Sequence, residues 1–156
     1  GKPVELRCYV DADHAGDKVT RRSRSGILIY INSAPIVWFT KKQNTVKTSS
    51  FGSEFVALKI ATEMLRGLQY KLQMMGIHIP GPIYVYCDNN PVVINSSSPA
   101  STFKKKSNSI AYHCVREAVA ADEQRITYEN TKANLADILT KPLPPGEQRD
   151  FLTGQI

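Results

Sequence analysis

Short apolar runs separated by polar turns dominate the chain. VELRCYV (4–10), GILIYI (26–31) and PIVWFT (35–40) read as three strands, with the second and third joined through Asn32, Ser33 and Ala34 as a hairpin. The period then changes. Leu58, Ala61, Leu65, Leu68, Leu72 and Met75 recur at helical spacing, which predicts a helix from Ser53 to about Met75, stopped by Gly76. PIYVYCD (82–88) is a fourth strand, and Asn90 followed by Pro91 starts a short helix. After the polar stretch SSSPASTFKKKSN (96–108), residues 109–123 are helical in period and RITYE (125–129) is a fifth strand. NLADILTK (134–141) opens a last helix, and Pro142, Pro144 and Pro145 interrupt the chain beyond it. Helical crossovers make neighbouring strands parallel, whereas the opening hairpins are antiparallel. The result is a mixed sheet with helices packed on it, an α/β or α+β layer fold. The expected domain is 1–145, with 146–156 a tail whose order the pattern leaves open.

Composition narrows the class. A chain of 156 residues with 42% hydrophobic and 22% charged residues suits one globular domain. No apolar run approaches the ~20 residues of a membrane helix, and no secretory signal opens the chain. Cys8, Cys87 and Cys114 cannot all pair and show no CxxC spacing, so small buried thiols of a reducing compartment are expected, not a zinc site. The start at Gly1-Lys2, without methionine, suggests a piece of something longer.

Charge changes the picture more. The formal net charge is +6, and the cations gather in three clusters: Arg21, Arg22 and Arg24; Lys41, Lys42 and Lys47; Lys104, Lys105 and Lys106. Brought to one face they would suit phosphates, although each alone serves equally as a solubilising group.

The acids carry the candidate chemistry. RCYVDADHAGD (7–17) places Asp11, Asp13 and Asp17 at the end of a strand, either as turn formers or as ligands. Glu54 falls in the middle of the apolar stripe of the 53–75 helix, whereas Glu63 lies opposite, facing solvent. A carboxylate on a buried stripe needs compensation, unless it merely favours the helix dipole and escapes at the sheet edge. Asp88 ends the fourth strand before a helix start, where open sheets build sites. Asp137, with Asn134 as N-cap, also reads as a capping box. Together, two strand-end aspartates and two acids in first helical turns form an all-oxygen set suited to Mg²⁺ or Mn²⁺. Two such ions ~4 Å apart can align a water and stabilise the leaving oxygen of a phosphodiester. No Ser-His-Asp order, phosphate-cradling glycine loop or dinucleotide fingerprint appears.

DADHAGD with RRSRSG, VWFTKKQNTVKTSSFGSEFVAL, YCDNNPVV, SNSIAYHCVRE and NTKANLADILTKPLP, in this order, closely resemble the ribonuclease H domain of copia-type LTR retrotransposon Pol polyproteins. The resemblance runs from about residue 7 to 145. It implies a ribonuclease H-like fold, a five-stranded mixed sheet of order 3-2-1-4-5 whose central strand carries Asp11. It implies metal-dependent cleavage of RNA in an RNA–DNA hybrid, giving 3′-hydroxyl and 5′-phosphate ends, with two Mg²⁺ ions that Mn²⁺ can replace. Asp11, Glu54, Asp88 and Asp137 match the family's four acids. Asp11 and Asp88 would be the central ligands, Glu54 serving the leaving side and Asp137 the water-activating side. Thr48, Ser49, Ser50, Ser53, Asn89, Arg21, Arg22, Lys41, Lys42 and Lys104 to Lys106 are expected to contact the hybrid, by shape and without sequence preference. The other implied partner is a reverse transcriptase domain in the same polyprotein. The setting is intracellular, a cytoplasmic virus-like particle or the nucleus, with no membrane and a monomeric isolated domain. The chain departs from the family at His14, where tryptophan is common, and in SSFGSE for SSTEAE. ENTKAN (129–134) lacks the histidine that many cellular ribonucleases H carry before the last acid. A silent module that binds nucleic acid or supports a polymerase is the alternative.

Overall fold

The computed structural model describes residues 3–98 and 109–156, so Lys104, Lys105 and Lys106 lie outside the described residues. Five strands form one sheet of order β3-β2-β1-β4-β5: β1 (Leu6–Asp13), β2 (Arg24–Ile31), β3 (Ala34–Lys42), β4 (Ile83–Cys87) and β5 (Gln124–Tyr128). β1 pairs antiparallel with β2 and parallel with β4, so the sheet is mixed with β1 at its centre. The helices are α1 (Ser50–Met74), α2 (Asn90–Ser97), α3 (Ser109–Ala120), α4 (Asp137–Thr140) and α5 (Glu147–Gln155). Architecture and strand order match the expected ones.

Period-2 alternation on β1 sorts its side chains between two cores. Cys8 and Val10 join Ile27, Ile29 and Val85 under Phe55, Leu58, Ala61 and Leu65 of α1, with Tyr112 and Val115 of α3 closing the cluster. On the other face Leu28 and Tyr30 pack with Leu135 and Leu152, with Tyr9, Ile138 and Leu139 beside them. Leu152 is fully buried and belongs to α5, so the stretch after the prolines is a helix docked on the sheet.

Element ends depart from the sequence expectation where side chains, not periodicity, set them. The α1 helix starts at Ser50, three residues before the expected start at Ser53, because Ser49 is its N-cap and accepts from the Gly52 N–H at 3.3 Å. The last helix starts at Asp137, not Asn134. Asn134 is fully buried, its Nδ2 donating to the Val10 carbonyl at 2.9 Å and its Oδ1 accepting from the Ala136 N–H at 3.1 Å. It therefore ties the chain to β1 instead of capping a helix, and Asp137 is no capping-box acid.

Candidate active site

Register brings the acids together. The last parallel pair between β1 and β4 is Val10 with Cys87, so Asp11 and Asp88 are the next residues on adjacent strands. Glu54 comes down from the second turn of α1, where its Oε1 accepts from the Ala12 N–H at 3.0 Å and its Oε2 from the Cys87 thiol at 3.7 Å. Asp137 begins α4 on the opposite side of β1. Asp11, Glu54 and Asp137 are 1%, 3% and 2% exposed, whereas Asp88 is half-buried at the rim. Ligand atoms of Glu54, Cys87 and Asp88 all lie within 4.8 Å of one another. Glu63, expected opposite, is exposed and paired with Lys59 at 2.9 Å.

One cation sits among them. Lys141 Nζ is 2.6 Å from Asp137 Oδ1 and 3.6 Å from Asp11 Oδ2. The Thr140 hydroxyl donates to the same Asp11 oxygen, and Gln148 Nε2 donates to Asp137 Oδ2 at 3.2 Å. Burial opposes the charge on Lys141, but Asp11, Asp137 and Asp88 outweigh it and hold the ammonium above its usual range. The donor set is carboxylate, and a positive charge is already accommodated between Asp11 and Asp137. The residues fit a hard divalent cation.

No family model matches the sequence. The chain is 34% identical over 143 residues to the retrovirus-related Pol polyprotein from transposon RE1 of Arabidopsis thaliana, covering 92% of this chain and 10% of that protein. Its fold is similar to the N-terminal RNase H domain of rv2228c from Mycobacterium tuberculosis, with a TM-score of 0.66 at 15% identity over 97% of this chain and 96% of that one. It is also similar to LC11-RNase H1 in complex with RNA/DNA hybrid, with a TM-score of 0.67 at 14% identity over 87% and 94%. The chain is a relative of retrotransposon Pol polyproteins and has the ribonuclease H fold. It spans about a tenth of the length of the curated relatives it matches.

Around the acids of this ribonuclease H-like fold, two basic clusters meet because β2 and β3 pair antiparallel, with Arg24 opposite Lys42 and Ser25 opposite Lys41. Arg22, Arg24 and Lys42 line a cavity of about 260 Å³ that also touches Asp13, Asp17 and Thr140. Lys42 is ion-paired with Asp17, while Arg21, Arg22 and Lys41 are exposed. Thr48 and Ser50 are exposed beside the start of α1, and Ser49 is engaged as its cap. Asn89 caps α2, accepting from the Val92 N–H at 3.3 Å. Ser53, expected as a contact, is fully buried. Its hydroxyl donates to the Ser50 carbonyl at 2.9 Å and its own carbonyl accepts from Gln43 Nε2, so it braces the helix start and does not face a ligand.

Lys141, Thr140 and Gln148 escaped the sequence reading. The Asp137–Lys141 spacing of i,i+4 was a visible signal for the first. Gln148 had none, since it depends on where α5 docks.

Burial raises Asp11 from its ordinary 3.8 to about 6; Lys141 and Thr140 resist the rise, and Asp88 and Asp137 add to it. Burial, then Asp11 and Asp88, push Glu54 well above its ordinary range. Both acids hold a proton more tightly folded than unfolded. Their contribution to stability is therefore full below pH 3.8 and is lost as pH rises through about 6 for Asp11, and through the raised range of Glu54. Urea midpoints in EDTA should thus be higher near pH ~5 than near pH ~7.5, and excess Mg²⁺ should shrink the difference. A midpoint that rises over that interval in EDTA would contradict the burial of these acids.

Proposed function

We propose that this domain hydrolyses the RNA strand of RNA–DNA hybrids during reverse transcription, using two divalent ions and leaving 3′-hydroxyl and 5′-phosphate ends. The observation carrying this reading is that Asp11 of β1, Glu54 of α1 and Asp137 of α4 stand with Asp88, just past β4, close enough for their charges to raise one another's proton affinity. Asp11 and Asp88 would hold the ions centrally, with Glu54 on the leaving-group side and Asp137 on the water-activating side. Bound there, Mg²⁺ or Mn²⁺ would acidify a water and offset charge on the leaving oxygen. The chain's own residues do the rest. Thr140 fixes the carboxylate of Asp11, and the N–H of Ala12 fixes Glu54. The patch of Arg21, Arg22, Arg24 and Lys41 would hold backbone phosphates beside the site, and Thr48, Ser49, Ser50 and Asn89, at the starts of α1 and α2, would meet 2′-hydroxyls. Resemblance to Pol polyproteins supports a reverse transcriptase domain as neighbour in the same polyprotein, and a virus-like particle or the nucleus as the place of action. No helix among the described residues is long and apolar enough to cross a membrane.

The test is a hybrid with labelled RNA, incubated with Mg²⁺, Mn²⁺ or EDTA beside single-stranded RNA and duplex DNA. RNA cleavage confined to the hybrid and to the metal-containing tubes is expected. Binding without cleavage in Mn²⁺ would leave a silent nucleic-acid-binding module, and cleavage of duplex DNA would point to an integrase-type nuclease.

A further inference from the structure

We infer, building on the proposed metal site, that Lys141 is a built-in counter-ion that competes with the divalent cation on the Asp11–Asp137 side. An ion held by Asp11 and Asp137 needs their inward oxygens. Those oxygens already face the Lys141 ammonium, at 3.6 Å from Asp11 Oδ2 and 2.6 Å from Asp137 Oδ1. The second oxygen of Asp137 is taken by Gln148 at 3.2 Å. Each Asp137 oxygen already accepts one donor, so a cation there must displace Lys141 or take the remaining lone pairs beside a like-charged ammonium. Lys141 carries the charge that opposes the ion, and it is able to leave. Its side chain is 37% exposed, so a rotamer change carries the ammonium outward into solvent.

The physical reason for such a group is in the burial. Three acids at most 3% exposed stand together, and carboxylates this close repel one another when no cation is present. Lys141 supplies that charge from within the chain, which keeps α4 on the sheet between rounds of metal binding. The same charge makes this side of the site harder to load, because the incoming ion must replace an ammonium already in place.

Mn²⁺ titration of the metal-free domain, followed by calorimetry and by the paramagnetic signal of free Mn²⁺, measures the competition directly. Lys141→Gln should tighten Mn²⁺ binding about tenfold, whereas Lys141→Arg, which keeps the charge, should stay within about threefold of the parent. In EDTA, Lys141→Gln should unfold at a lower temperature than the parent, and saturating Mn²⁺ should raise its melting temperature by more. Should Lys141→Gln fail to fold, the parent alone still decides. Its Lys141 Nζ–H resonance, protected in EDTA, should lose protection as Mg²⁺ is added. Parent protein that binds Mn²⁺ while Lys141→Gln binds no tighter, or a Lys141 resonance indifferent to saturating Mg²⁺, would overturn the counter-ion and leave the metal site standing. Parent protein that takes up no Mn²⁺ at all would remove both.

Discussion

Asp88→Asn should abolish hybrid cleavage, lowering the rate by ~10³-fold or more, while leaving the fold as stable as the parent or slightly more so. The change replaces one oxygen by an amide nitrogen of the same size. Asp88 is the half-buried acid of the group and follows β4 directly, one residue beyond the last pairing with β1. Its carboxylate takes no hydrogen bond within the described residues, so the substitution breaks none. Its negative charge instead raises the proton affinity of both Asp11 and Glu54. Losing it relieves repulsion and removes a ligand at the same time. Cleavage rate, Mn²⁺ affinity and melting temperature, measured on one preparation, separate the two effects. Cleavage at the parental rate would refute the assignment of Asp88 as a ligand.

Legibility in the sequence followed the physical range of each signal. The mixed sheet was recoverable because hairpins and crossovers constrain neighbours, whereas its strand order came from the family resemblance; the buried acid Glu54 was recoverable because one helical period fixes the face of every residue on α1. Asp137 could be named but not explained. The pattern around it mimics a capping box, and only the long-range bond from Asn134 to Val10 shows that the segment belongs to the sheet. The same limit hid α5. Prolines announce a break, and a single buried Leu152 carries too little periodicity to announce a helix after it. Ser53 failed for the opposite reason. A run of small hydroxyl residues near a helix start looks like a ligand edge, yet position 53 turns inward, and its burial is decided by Gln43 from the end of β3. Side-chain bonds between residues far apart in the chain leave no local trace.

Gly26→Ala tests how the fourth acid is placed. Gly26 sits across from Asp11 in the β1–β2 register, under the turn that carries Asp137. A Cβ there would lie 2.6 Å from Thr140 Cγ2, 3.0 Å from the Ala136 carbonyl oxygen and 3.1 Å from Leu139 Cβ. Two of those neighbours cannot simply rotate away, one being backbone and the other a Cβ. The turn is also pinned from the far side, where Thr40 Oγ1 donates to the Leu139 carbonyl at 2.8 Å. An added methyl must therefore lift residues 136–140 from the sheet, and with them Asp137, Thr140 and Lys141. Overpacking of this kind costs about 1–3 kcal/mol of stability. Displacement of a catalytic constellation by ~1 Å costs activity on the order of 10²-fold. Gly26→Ala should show both losses, with hybrid cleavage measured well below its melting temperature. Thr140→Ser removes Cγ2 but keeps the hydroxyl that holds Asp11. Added to Gly26→Ala, it should recover part of the lost activity, a coupling expected of residues in contact. If Gly26→Ala cleaves at the parental rate, close packing of α4 on β2 does not position Asp137; if the second change recovers nothing, the contact with Thr140 is not what moves it.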